Sequence, residues 1–224
     1  MATTRLAIYN GALTHCGERT IANLTVNEEG RRLLDNVWND GGVQWCLEQG
    51  QWRFAMRTFH ATPETAVTPQ FGLKNAFAKP SDWMDTAAVC QDEYFKVPLL
   101  NYADEAGYWF ADLDDIYVKI VSNSASYGMN LAGWPASFTE FVKAYFAWKI
   151  APKLTGGDKI AERLWNPENP KRGVVAIAML VAKNRDAQSG PTTFPAVGGW
   201  IRSRWGRTGN GGWRDGGNRS SLYG

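Results

Sequence analysis

The strongest constraint on this chain is that its hydrophobic period changes twice along its length. Near the N-terminus Leu6, Tyr9, Leu13 and Cys16 share one helical stripe, and Gly17 follows as a stop. Leu34, Val37, Trp38, Gly41 and Trp45 form a second stripe. It predicts one long helix from an N-cap at Asn27 to about Gln49, with Glu28 and Glu29 favourably placed against the helix dipole. Gly41 and Gly42 within it cost very roughly 1 kcal/mol each relative to alanine, which argues for close packing against a neighbouring helix. From 52 to about 123 the texture becomes short aromatic and β-branched stretches. Segments 52–61 and 117–121 read as strands, with 71–78, 94–102 and 108–110 as weaker candidates. Pro63, Pro69, Pro80, Pro98 and Gly107 make the connections turns, and Ser81 is placed to cap a short helical turn through Trp83 and Met84.

Helical period returns at Ser137, which forms an S-x-x-E capping box with Glu140 ahead of Phe141, Val142, Tyr145 and Trp148. Pro152 and Gly156-Gly157 close that helix, and Asp158 caps the next, over 160–165. Val174, Ile177, Ala178 and Val181 give the stripe of a last helix ending near Gln188. Two switches of period predict an α+β fold. Residues 1–51 and 137–190 form a helical bundle core, 52–136 an inserted small antiparallel β module, and 191–224 an extended Gly/Arg/Trp C-terminal arm.

Several function classes are poorly supported. No apolar run approaches the ~20 residues of a membrane helix, and the N-terminus lacks the apolar stretch of a signal peptide. The chain is therefore expected to be soluble, made in the cytoplasm, and without a membrane partner. Three scattered cysteines (Cys16, Cys46, Cys90), no CxxC and two histidines make a disulfide framework or structural zinc improbable, so buried reduced thiols are expected. P-loop, dinucleotide, H-E-x-x-H and G-x-S-x-G patterns are absent. No catalytic residue, cofactor or metal is assigned, and the chain is read as a non-enzyme.

Charge is segregated more strongly than the net +2 suggests. Residues 81–115 carry nine acids against Lys96 alone, while 191–224 carry five arginines against Asp215 alone. Alternation in D-L-D-D-I-Y would put Asp112 and Asp114 on one strand face and Asp115 on the other, which disfavours a carboxylate site against a solvated acidic surface. The arm has nine glycines in its 34 residues yet holds Trp200, Trp205 and Trp213. Three tryptophans are costly to leave in water, so the arm is expected to order against a partner. A protein groove is favoured over single-stranded nucleic acid, which leaves a basic, stacking nucleic-acid module as the alternative.

These features together resemble a family, the tail tubular protein A or head-to-tail adaptors of short-tailed bacteriophages. The resemblance is carried by L-A-I-Y-N-G-A-L at 6–13, C-G-E-R at 16–19, R-R-L-L-D-N-V-W at 31–38 and E-Q-G-Q-W-R-F-A-M-R at 48–57. K-P-S-D-W-M at 79–84, F-T-E-F-V-K-A-Y-F-A-W-K-I-A at 138–151 and G-G-W-I-R-S-R at 198–204 complete it. It runs through most of the chain in order, is most specific over 31–57, and ends before the residues that follow Trp213. It implies a structural virion protein at the head–tail junction, a homo-oligomeric ring, commonly of twelve copies, between the portal protein and the tail nozzle protein. Double-stranded genome DNA would pass through during ejection without specific binding. On that reading Trp200, Arg202, Arg204, Trp205, Arg207 and Trp213 contact the portal. Asp104, Glu105, Asp112 and Asp114 face the lumen or a neighbouring ring, where acids avoid holding phosphate. The aromatic-rich helices at 28–49 and 137–154 are expected to pack within and between protomers.

Overall fold

A computed structural model describes residues 3–67, 69, 72–166, 169 and 172–190. Its helices are α1 (Arg5–Cys16), α2 (Glu29–Asn39), α3 (Gly42–Glu48), α4 (Ala136–Leu154), α5 (Asp158–Leu164) and α6 (Val174–Gln188). Between α3 and α4 lie β1 (Met56–Ala61), β2 (Asn75–Ala78), β3 (Trp83–Cys90), β4 (Ala103–Glu105), β5 (Tyr108–Ala111) and β6 (Ile116–Ser122). All pairings are antiparallel and form two three-stranded sheets, ordered β1-β6-β3 and β2-β5-β4. The fold class is α+β.

α4 is apolar on nearly every side, and a helix of that kind belongs in the middle of a bundle. It packs against α1, α2, α3, α5 and α6 and buries Phe138, Phe141, Tyr145, Phe146 and Ile150. Trp52 meets the Phe138 ring edge-on at 4.9 Å, and Trp45 stacks on Tyr145 at 4.2 Å. The aromatic side chains of α4 are thus largely used up inside this chain. Polar ties fix the helices around it. Asp35 of α2 accepts from Arg5 (2.7 Å), from Tyr9 (2.8 Å) and from Arg31, while Arg5 also lies 4.8 Å over the Trp38 ring.

The β sheets enclose a second, smaller core in which Phe77, Trp109 and Ala111 of one sheet meet Ala61, Val89, Ile116, Val118 and Ile120 of the other. β6 joins the two cores: Ile116, Val118 and Ile120 serve the second, while Val121 belongs to the first. All the described residues up to Ser189 form one compact unit.

Several local expectations are corrected. The long helix over 27–49 is two helices, because Gly41 takes φ +83°, a left-handed conformation that ends α2 and starts α3. The packing reading holds one residue later. A Cβ on Gly42 would sit 2.8 Å from the Phe146 ring, so α3 lies against α4 as only glycine allows. Helix α2 is entered from Glu28, not Asn27. The Ser137–Glu140 capping box does not form, since the helix already begins at Ala136 with Pro135 as its cap. Pro152 lies inside the last turn of α4 rather than ending it, and Asp158 is the first residue of α5 rather than its cap. Strand β1 begins only at Met56, after a single 3-10 turn at Arg53–Ala55. Ser81 caps no helical turn, because Trp83 and Met84 open β3. Segment 94–102 is a loop, not a strand.

Candidate functional site

Of the residues singled out from sequence, Trp200, Arg202, Arg204, Trp205, Arg207 and Trp213 lie outside the described residues. The four acids are described, and all are exposed. Asp104 is on β4, where it pairs with Lys79. That lysine is 8% exposed and sits 3.6 Å over the Trp83 ring. Thr86 completes the arrangement. Its hydroxyl accepts from the indoles of Trp83 (3.0 Å) and Trp109 (3.1 Å) and donates to Asp104 (3.4 Å). Asp104 is therefore the counter-ion of a nearly buried cation, whereas Glu105 is exposed.

Asp112, Asp114 and Asp115 occupy the turn between β5 and β6, so strand alternation does not apply to them. Asp112 accepts from the Lys74 backbone N–H (3.0 Å), Asp114 from Asn75 (3.4 Å), and Asp115 pairs with His60 (2.9 Å). Each is spent on a local tie. Among the described residues no group of three His, Cys, Asp or Glu side chains gathers as metal ligands. Within the acidic segment, an acid not singled out from sequence also has a structural role. Asp82 accepts from Arg57 (2.5 Å) and Ser122 (2.5 Å), joining β1, the start of β3 and β6. Burial pushes its carboxyl up, but those hydrogen bonds outweigh burial and hold it below the ordinary carboxylate range.

Among the described residues one buried side-chain polar atom, Gln44 Oε1, lacks a hydrogen-bond partner; the larger unpartnered surface is apolar. Residues 174–182 read V-V-A-I-A-M-L-V-A, apolar without a break, and α6 can bury only one side against α4. Val175 and Ala182 are buried there. The stripe read from sequence divides: Val174 and Ala178 pack against the core, whereas Ile177 is 50% and Val181 52% exposed, with Leu180 at 59% beside them. Grooves flank the helix on two sides. One, of about 540 Å3, is lined by Trp45, Trp165, Val175, Met179 and Leu180, with Lys183 at its edge. The other, of about 400 Å3, runs between Val174, Ile177 and Val181 and the start of α4 at Ser137 and Glu140. Burial pushes the Glu140 carboxyl up, but His15 (2.8 Å) and Lys143 (3.3 Å) more than offset this and keep it ionised below its usual range.

A second exposed apolar feature projects from the β module. The loop after β3 presents Tyr94 (70% exposed), Val97 (48%) and Leu100 (88%). Asp92 stiffens it by accepting from the backbone N–H groups of Lys96 and Val97, at 3.1 and 2.7 Å. No described helix is long and apolar enough to cross a membrane. A surface of this kind is suited to another protein surface. Neither a protein-family model nor a curated protein sequence matches this chain.

Proposed function

We propose that this chain is a structural subunit of a multi-chain ring, and specifically a head-to-tail adaptor between a phage portal and the tail nozzle. The observation that carries the reading is the outward apolar face of α6. Three large aliphatic side chains half exposed on one helix, with a groove on each side, are costly in water and inexpensive in an assembly. The resemblance to the adaptor family supplies the kind of assembly, and its matching blocks coincide with the parts that hold this fold together. Block 31–38 supplies Asp35 and Trp38, block 48–57 supplies Trp52 and Arg57, and block 138–151 is most of α4.

The arm at 191–224, with five arginines and three tryptophans, is the portal-facing element in this reading. Arginine pairs bidentately with carboxylates, so an acidic groove on the portal suits it. Repetition around a ring would multiply a weak single contact into avidity. The test is to mix purified chain with the portal protein and follow mass by light scattering, with negative-stain images of the product. The chain alone is expected to be monomeric or weakly associated, and to form rings on the portal. Truncation after Ser189 should keep the fold and abolish attachment. A chain that never adds to the portal contradicts the proposal.

A further inference from the structure

We propose that the loop at 92–100 of one copy seats in the α6 groove of the next, and that this contact joins neighbouring subunits of the ring. The inference rests on the ring reading above and names the partner as a second copy of this chain.

The groove is concave and apolar, with Trp45, Trp165, Val175, Met179 and Leu180 forming its walls. Its volume is in the range that takes a drug-sized molecule, so more than one large side chain fits. The loop offers such exposed side chains in Tyr94, Val97 and Leu100. Both are exposed in the same chain, so neither covers the other. Charge agrees with shape. Exposed Lys183 at the groove edge has no ion-pair partner among the described residues, while Glu93 stands exposed beside Tyr94.

The loop is also held in shape before it binds. Asp92 caps its backbone, Leu99 hydrogen-bonds back to Val89 (2.9 Å), and the Phe95 ring lies under Lys119 at 4.7 Å. A preformed knob loses little conformational freedom on docking. A knob and a hole built from separate residues of one chain make a heterologous contact, and heterologous contacts propagate into rings or open filaments. Two α6 faces meeting about a two-fold axis would instead stop at a dimer and leave the loop bare.

Sedimentation of the full chain at high concentration tests this without any second protein. The wild-type chain should self-associate weakly beyond dimers. Leu100→Asp and Leu180→Asp, both at exposed positions, should each weaken self-association at least tenfold while circular dichroism and melting stay unchanged. Mixed in equal amounts, the two variants should form heterodimers and nothing larger, because only one intact loop and one intact groove can meet. Glu93→Lys and Lys183→Glu should each weaken assembly, and the two changes combined in one chain should recover most of it. If Leu100→Asp assembles like the wild type, the loop is not the occupant and the inference is overturned, while rings on the portal would still uphold the adaptor reading. A wild-type chain that neither self-associates nor forms rings on the portal overturns both.

Discussion

The helical body and the β module bury apolar surface by different means. The body wraps five helices around α4 and fills the space with rings, so its cohesion is spread over many contacts among Tyr9, Trp52, Phe138, Phe141 and Phe146. The β module has two three-stranded sheets and a short list of buried side chains. Polar anchors reinforce it: Lys79 between Trp83 and Asp104, Thr86 under two indoles, and Asp82 between Arg57 and Ser122. Small sheets bury less per residue than a helical bundle, so individual satisfied polar groups weigh more in them. The lesson concerns charge. An acidic segment looks like a surface property, yet part of its charge is structural cement.

The comparison predicts graded losses. Phe146→Ala in the body should cost about 3–5 kcal/mol, as for other fully buried phenylalanines, and lower the melting temperature by roughly 6–20 °C for a chain of this size. A loss under about 1 kcal/mol, against that expectation, would mean that the body is loosely packed. In the β module Asp82→Asn should cost about 1.5–3 kcal/mol, because the carboxylate is only 14% exposed and its charge-assisted hydrogen bonds from Arg57 and Ser122 are weakened. The folded Asp82 carboxyl lies below its ordinary value, so its contribution is fully present above about pH 4 and is lost as pH falls through the folded value. Asp82→Asn should therefore flatten the acid limb of the stability curve.

The next prediction separates acids that sequence alone groups together. Asp104→Asn should cost about 1–2 kcal/mol, since it leaves the Lys79 ammonium nearly buried without a counter-ion. Asp112→Asn with Asp114→Asn should cost under about 0.5 kcal/mol, being exposed turn positions. Equal effects from the two sets, measured by denaturant unfolding, would remove the distinction. The smallest effect concerns the thiols. Cys16, Cys46 and Cys90 are all free and buried. Burial pushes the Cys16 thiol up to about 11 and raises Cys46 well above its ordinary value. Thiol reagents near neutral pH should thus label the native chain slowly at those two residues and rapidly once it unfolds, because the thiolate is the reactive form.

Legibility in the sequence follows the range of the interaction involved. Helix α1 could be placed from its stripe and its Gly17 stop, and α6 from its stripe alone, because their hydrogen bonds are local. The break at Gly41 was hidden because the apolar stripe runs straight across it and only the backbone changes. Strand β3 was missed for a related reason. Register shifts at Trp83/Asp85 and Thr86/Ala88 spoil the two-residue alternation that marks a strand. The exposed apolar face of α6 had a signal in its unbroken apolar run at 174–182, since a surface helix can bury only one stripe of such a run. The true partners of the acids had none, because Lys79 and Arg57 each reach 25 residues along the chain.

Whether the apolar face of α6 exists to be covered by other copies is the central claim, and mass is its most direct readout. Wild-type chain and the Leu180→Asp variant should each be mixed with the portal protein and weighed by native mass spectrometry alongside negative-stain images. The account predicts closed rings seated on the portal for the wild type. For the variant it predicts scattered single subunits held by their arms, with unchanged folding. Complete rings from Leu180→Asp, or no rings from the wild type, would contradict it.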